Sequence, residues 1–228
     1  MEEKAFILST LKYGDSDAIL HCYFCNLGYQ SVFAKGVYSS RSRKKSFVFP
    51  LNELAFSNAI LKPGKMISTT KMDLLASHYP NNDVHKSCLM MFVSDFLNQV
   101  LRDENGDVII YTTISSFLQS MSDGNTDAHI SLLFCLLDYA GLLPLVSDEV
   151  FLDPELGVYT AQISNKLFTE EVSSVWKLFS DSKARFELKL SRAQRSATLE
   201  SLMLYYSYHY ANFRIPESYE VMKDLYYH

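Results

Sequence analysis

The cysteines and histidines are the residues that could bind a metal ion or act as nucleophiles. Cys22 and Cys25 have the C-x-x-C spacing of half a zinc site, with His21 beside them, but such a site needs a second pair of ligands. Cys88 and Cys135 stand alone in apolar segments, where a thiol behaves as a small hydrophobic side chain. If Cys22 and Cys25 share a strand, their odd offset also directs them to opposite faces. We therefore expect no metal site, and a structural zinc on this pair is the alternative.

The sequence lacks the patterns typical of catalytic sites. It contains no G-x-S-x-G or H-E-x-x-H motif, and its eight glycines are spread singly rather than gathered in a phosphate-binding loop. The histidines have no partner at a recognisable spacing; they are His21, His78, His85, His129, His209 and His228. Those in helical segments, such as His129, are expected to be structural. We predict a protein that is not an enzyme, with no catalytic residue and no cofactor.

The segment from Lys35 to Pro50 carries the most informative pattern. Four of the five residues from 41 to 45 are cationic, and the segment is rich in serine, contains no acid and includes aromatic residues. Such cations neutralise phosphates, and aromatic rings stack on unpaired bases. The candidate nucleic-acid contacts are Lys35, Tyr38, Arg41, Arg43, Lys44 and Lys45. Phe47 and Phe49 are expected to be core residues that open the next strand. The alternative function is a solvated loop that protects an edge strand from aggregation.

These residues need a framework, and the first 75 residues predict one made of short strands. Candidate strands cover residues 5–11, 18–24, 31–36, 51–56 and 65–71, with turn signals between them. Five strands of this size fit an oligonucleotide-binding (OB) barrel, and an SH3-like barrel fits almost as well. The basic segment would then link the third strand to the fourth.

From Asp83 onwards the apolar period becomes that of helices. Apolar residues from Val84 to Leu101 form one stripe, with Asp83 as a candidate N-cap. Further helices are predicted over residues 107–121, 127–141, 165–180, 191–211 and 217–227, with a hairpin over residues 150–159. Asp127 is the candidate cap of the third helix, and Gly141 is its stop. The predicted fold class is therefore α+β, a five-stranded OB-like barrel followed by a mostly α-helical domain.

Composition and charge are those of an ordinary globular protein. Of the 228 residues, 48% are apolar and 21% charged, with a net charge of −5. Residues 1–80 carry ten Lys and Arg against six acids, and the rest of the chain carries eleven against twenty. We therefore predict domains at 1–80 and 81–228, with a boundary near Pro80-Asn81-Asn82 and nucleic-acid contact in the first. The absence of a signal-peptide pattern, a membrane-spanning run and a disulfide framework predicts a cytoplasmic protein.

Several segments together resemble the RecO family of bacterial recombination mediators. They are residues 11–20, LKYGDSDAIL, residues 27–37, LGYQSVFAKGV, the basic run SRSRKK at residues 40–45, and Pro50-Leu51. In the second half, the segments at residues 139–144, YAGLLP, and 151–159, FLDPELGVY, resemble the family more loosely. The resemblance spans nearly the whole chain and is most specific in the first 50 residues.

The resemblance implies an OB barrel followed by a helical domain. It also implies binding to single- and double-stranded DNA, annealing of complementary strands, and action with RecR to load RecA onto DNA coated by single-strand-binding protein. The basic residues from Lys35 to Lys45 fall on the family's basic strand and loop, and would contact phosphates. Many members carry a four-cysteine zinc module near the position of residues 144–160, where this chain has no cysteine, so it resembles a zinc-free variant.

We therefore predict a non-enzymatic DNA-binding and strand-annealing mediator of recombinational DNA repair, acting on the nucleoid in the bacterial cytoplasm. The alternative is a protein-interaction scaffold whose small barrel does not bind nucleic acid. In that case the basic loop only keeps the chain in solution, and DNA affinity that depends on salt would be absent.

Overall fold

The first part of the chain is a curled sheet of six strands. The computed structural model describes residues 2–57, 66–69, 71–78 and 83–227. The strands are β1 (Glu2–Tyr13), β2 (Asp17–Phe24), β3 (Gly28–Ala34), β4 (Glu53–Ser57), β5 (Ile67–Thr69) and β6 (Lys71–Ala76). Their order in the sheet is β5-β3-β2-β1-β4-β6. The β3–β5 pair is parallel and the other pairs are antiparallel.

The two edge strands of this sheet are adjacent in the chain. β5 ends at Thr69 and β6 begins at Lys71, and the Thr69 hydroxyl donates to the Lys71 carbonyl at 2.8 Å. The sheet is therefore a curled half-barrel whose two edge strands follow one another in the chain. The predicted fold class is confirmed, but the strand count was wrong by one, because the strand predicted over residues 65–71 corresponds to β5 and the following strand β6 was not predicted. Lys65, where that strand was predicted to begin, lies outside the described residues.

Alternation along the strands fills the barrel. Every second residue of β2 points inward, so that Ala18, Leu20, Cys22 and Phe24 are all buried in the barrel core. A bulge in β1 between Ile7 and Ser9 changes the side of the strand that faces inward. As a result, Ile7 points into the core, and Leu11 lies on the outer surface.

Among the described residues, the further elements are six α-helices, one β-hairpin and two single 3-10 turns, at Lys44–Ser46 and Arg185–Glu187. The helices and the hairpin are α1 (Val84–Val100), α2 (Val108–Ser122), α3 (Ala128–Tyr139), α4 (Glu170–Asp181), α5 (Arg192–His209), α6 (Glu217–Tyr227), and strands β7 (Phe151–Asp153) and β8 (Val158–Thr160). Each helix and the hairpin had been predicted. α4 begins later than predicted because the Thr169 hydroxyl caps it by accepting from the Val172 amide.

The predicted helix ends have mixed outcomes. Asp83 caps α1 as predicted, since its carboxylate accepts from the Lys86 amide at 3.0 Å. Gly141, at φ 68°, ends α3 as predicted. Asp127 stands at the N-cap position of α3 as predicted, but its side chain does not cap the helix: the carboxylate accepts from the Leu190 amide at 3.0 Å and pairs with Arg195. Asp127 is 2% exposed, and a carboxylate so deeply buried requires such partners.

The chain divides into two compact units. The first comprises Met1–Tyr111 and Pro216–Tyr226, and the second Thr112–Ile215 and Tyr227–His228. The first unit therefore contains the barrel, α1 and most of α6. The boundary predicted at residues 80–82 lies outside the described residues, and the division into domains 1–80 and 81–228 stays a prediction. None of the helices within the described ranges has the length and apolar character needed to cross a membrane.

Candidate nucleic-acid interface

The basic loop, residues 35–50, is fixed at its start by the turn between β1 and β2. Gly36, at φ 68°, reverses the chain directly after β3. Its amide donates to the Asp17 carboxylate at 2.8 Å, and the Tyr38 amide donates to the Ser16 carbonyl at 2.7 Å. The GDSD turn of the sequence thus holds the first residues of the basic loop against the end of the barrel.

Serine hydroxyls stabilise the middle of the basic loop. The Ser42 hydroxyl accepts from the Lys44 amide at 3.1 Å, and the Ser46 hydroxyl donates to the Arg43 carbonyl at 2.9 Å. Between them, Lys44–Ser46 forms a single 3-10 turn. Serine hydroxyls here supply hydrogen-bond partners to the backbone of the basic loop. The long cationic side chains are therefore not needed for that purpose and extend over the surface.

Asn52 fixes the end of the basic loop. Its side chain is fully buried, donates to the Phe47 carbonyl at 3.0 Å and accepts from the His78 amide at 2.8 Å. Phe47 and Val48 pack against the barrel core. Phe47 is thus a core residue as predicted, but it does not open a strand, since β4 begins at Glu53. The geometry at the end of the basic loop therefore depends on one buried side-chain amide.

The cations of the basic loop lie on the surface. Lys35, Arg41, Arg43 and Lys45 are exposed, and Lys44 is half-buried. Within the described ranges, no salt bridge involves those four exposed side chains. Their charges are therefore not neutralised by acids of the described chain and are available to an anionic ligand. Tyr38 is half-buried and packs against the barrel core, so its ring offers less surface for stacking than an exposed tyrosine.

Three further residues near the basic loop escaped the sequence analysis. Lys12 has an exposed side chain and lies opposite Ala18 of β2. Two residues earlier in β1, the Thr10 hydroxyl donates to the Val48 carbonyl of the basic loop at 3.4 Å. Lys12 therefore adds a cation beside the loop. Tyr13 and Phe33 form an edge-to-face ring pair at the same end of the barrel. The two-residue alternation of β1 could have indicated Lys12, but the pairing of Tyr13 with Phe33 needed the strand register.

The structure separates the candidate metal ligands. Cys22 is buried in the barrel core, and burial raises the pKa of its thiol. Cys25 follows the end of β2, so the two cysteines do not share that strand. The His21 ring hydrogen-bonds the Ser31 hydroxyl at 2.9 Å, and burial and the nearby Arg102 lower its pKa. In the part of the chain that the structure covers, no three His, Cys, Asp or Glu side chains are grouped to hold a metal ion.

Known proteins resemble this chain over its whole length. A family model described as Recombination protein O N terminal matches residues 1–78. The DNA repair protein RecO of Flavobacterium psychrophilum is 25% identical, with 99% of each chain aligned. Proteins of the same name from Flavobacterium johnsoniae and Christiangramia forsetii are 24% and 28% identical, over 99% and 98% of each chain.

Proposed function

The chain belongs to the RecO family of DNA repair proteins, and on this premise we propose that it binds DNA through the basic loop and anneals complementary strands. Its membership supports a role in DNA repair and recombination. The observation that carries the finer proposal is the set of exposed loop cations that no acid of the described chain neutralises.

The chemistry of annealing requires little more than charge neutralisation. Two DNA strands repel each other through their phosphates, and each cation that replaces a counterion adds to affinity and to its salt dependence. The loop displays Lys35, Arg41, Arg43, Lys44 and Lys45, and five phosphate contacts would give a salt slope of about −3.5 on single strands. A fourfold rise in salt would then weaken binding on the order of a hundredfold. The proposed role needs no catalytic residue.

The protein partners form the second part of the proposal. We propose, from what the resemblance to the family implies, that the protein acts with RecR to load RecA onto DNA coated by single-strand-binding protein, in the cytoplasm at the nucleoid. Residues 81–228 carry eleven Lys and Arg against twenty acids, so we infer that this part of the chain serves protein partners rather than DNA.

Fluorescence anisotropy of a labelled oligonucleotide across a salt series tests the proposed DNA site. The test variant changes Arg41, Arg43, Lys44 and Lys45 together to Ala. The matched control changes Lys166, Lys183, Lys189 and Arg192, which are exposed cations of the second unit, together to Ala. We expect the test variant to lose affinity and about three units of salt slope, and the control to keep both.

Two other outcomes would contradict the proposal. If both variants bind like the wild type, the DNA surface lies elsewhere on the molecule. If the wild type neither binds DNA at low salt nor anneals complementary strands, the basic loop is a device for solubility. The chain is then better explained as a protein-interaction scaffold.

A further inference from the structure

A cavity of about 250 Å³ lies between α4 and α5, within the second unit. α4 contributes Val172 and Val175 to its wall, and α5 contributes Ala193 and Ala197, which lie one helical turn apart. Because alanine has a small side chain, these two residues leave space that larger residues would fill. The volume is below the roughly 300–1,000 Å³ of sites for drug-sized ligands, so the cavity fits a single side chain.

A buried hydroxyl in the lining of this cavity has no hydrogen-bond partner. Thr198 of α5 lines the cavity and is fully buried, and its Oγ1 atom meets no donor or acceptor among the described residues. The nearby Ser201 hydroxyl, by contrast, donates to the Thr198 carbonyl and accepts from the Trp176 ring N–H, both at 2.8 Å. A buried polar group without a partner costs free energy, and a ligand that donates a hydrogen bond to Thr198 would remove that cost.

Two carboxylates also line the cavity. Glu171 of α4 is exposed and Glu200 of α5 is half-buried, and within the described ranges neither takes part in a salt bridge. Lys166, which precedes α4, lines the cavity as well, so the described lining carries two acids against one cation, a net charge of −1. A half-buried carboxylate without a counter-charge favours a cationic ligand.

The cavity continues into a groove that follows α4. Glu171, Val175 and Gln194 line both the cavity and the groove, and the groove extends past Glu170 and Leu178. Glu170 is a third acid, which brings the charge of the described lining to three acids against one cation, or −2. Leu178 is apolar and yet 48% exposed. The site therefore extends beyond the space of one side chain and fits a segment of polypeptide better than a free small molecule.

We propose that this cavity binds an arginine side chain of a partner protein, and that the groove along α4 binds the segment that carries it. The inference rests on the proposed role of the acidic part of the chain in contact with protein partners. A guanidinium is planar and has five N–H donors, which match the carboxylates of Glu171 and Glu200 and the Thr198 hydroxyl. Its aliphatic stem packs against the valine and alanine side chains of the wall. Arginine is also enriched among the residues that contribute most to binding at protein interfaces.

NMR of the full chain labelled at its alanine methyl groups tests the arginine site, with the capped peptide acetyl-Gly-Arg-Gly-amide as the probe. We expect the methyl signals of Ala193 and Ala197 to shift with peptide concentration until they saturate. The signal of Ala140, which does not line the cavity, should stay in place. A peptide with citrulline in place of arginine has nearly the same shape without the charge, and it should bind at least about tenfold more weakly.

Two variants test the groups that would contact the guanidinium. Glu171→Gln combined with Glu200→Gln should weaken binding of the arginine peptide at least about tenfold. The matched control is Glu149→Gln combined with Glu187→Gln, which changes two exposed acids of the same unit and should bind like the wild type. Thr198→Val keeps the shape of the side chain and removes the hydroxyl. It should weaken binding roughly threefold and raise the Tm of the free protein by about 2–4 °C, because no hydrogen bond is lost.

Each other result overturns the arginine site. The absence of a saturable shift would mean that the cavity accepts no cationic side chain. Equal binding of the arginine and citrulline peptides would mean that the carboxylates do not select a charged ligand. Tighter binding of spermidine than of the arginine peptide would identify a site for free polyamines instead of a polypeptide. DNA binding by the basic loop is measured separately, so its failure would overturn the proposed DNA-binding function and leave these methyl shifts unchanged.

Discussion

At the scale of single residues, the geometry of the basic loop depends on Asn52. Its buried amide joins the Phe47 carbonyl to the His78 amide, which are far apart in the chain. We expect Asn52→Ala to lower the free energy of unfolding by roughly 2–3 kcal/mol, because two half-buried backbone groups lose their partners. Urea unfolding followed by circular dichroism measures this. The control is Asn105→Ala at an exposed asparagine, for which we expect a change within about 0.5 kcal/mol.

A buried histidine makes the second unit sensitive to acid. His129 is fully buried, and burial together with the Arg195 guanidinium lowers its pKa to about 3. In the unfolded chain the group has its ordinary pKa, so the unfolded state binds more protons between about pH 3 and 6.5. The contribution of neutral His129 to the free energy of unfolding is therefore fully present at neutral pH, and it is lost progressively as the pH falls below about 6.5.

We expect protonation of His129 to lower the free energy of unfolding of the wild type by about 2 kcal/mol between pH 7.5 and pH 5.0. The free energy of unfolding of His129→Gln should fall by about 2 kcal/mol less over the same range. Urea unfolding at the two pH values measures the difference. The chain has one tryptophan, Trp176, which is buried in the same unit and reports its unfolding by fluorescence. His21 and His78 also have lowered pKa values, but they lie in the first unit. Equal pH dependence of the two proteins would contradict the assignment to His129.

At the scale of elements, two glycines let the barrel meet the segment that follows α1. A Cβ at Gly28 would overlap the Glu104 carbonyl, and a Cβ at Gly106 would overlap the backbone of Asn26. Backbone lies against backbone here, and the Tyr29 amide donates to the Glu104 carbonyl at 3.1 Å. No side chain can give way, so the contact requires glycine on both sides.

Alanine at these glycines should therefore be severely destabilising. We expect Gly28→Ala or Gly106→Ala to lower the free energy of unfolding by about 3 kcal/mol or more, through backbone displacement. Gly14→Ala is the matched control, because Gly14 also has a positive φ of 59° but has nothing within 4 Å of a Cβ. It should cost only the 1–2 kcal/mol, roughly, of a left-handed residue. Thermal unfolding followed by circular dichroism ranks the three variants, and a Gly14 effect as large as the others would contradict the packing argument.

Helix ends could be predicted from the sequence where the residues that determine them are close together in the chain. Asp83 and Gly141 act through residues three or four positions away, so their roles could be read from the sequence. Asp127 could not, because its partners Leu190 and Arg195 are more than 60 residues distant. The same holds for the candidate site. The basic residues are adjacent in the sequence and could be recognised there. The Tyr13–Phe33 ring pair could not, because it depends on how β1 and β3 each pair with β2.

At the scale of the whole molecule, the last helix belongs to the unit that carries the basic loop. The chain leaves the first unit after Tyr111 and returns to it at Pro216. There α6 buries Tyr219 and Met222, and the Tyr219 ring lies 5.8 Å from that of Phe92 in α1. A segment more than 150 residues away in sequence from the basic loop therefore supports the unit that holds it.

This arrangement predicts that shortening the chain at its C-terminus weakens the first unit and spares the second. A chain ending at Ile215 should lose roughly 3 kcal/mol or more of unfolding free energy in the first unit, since two large side chains lose their burial. A chain ending at Asp224 keeps Tyr219 and Met222, and should match the full chain. Hydrogen exchange of barrel amides reports the first unit, and Trp176 fluorescence reports the second. If the Trp176 transition moved as far as the barrel amides, α6 would support both units, and the division of the molecule argued here would be wrong.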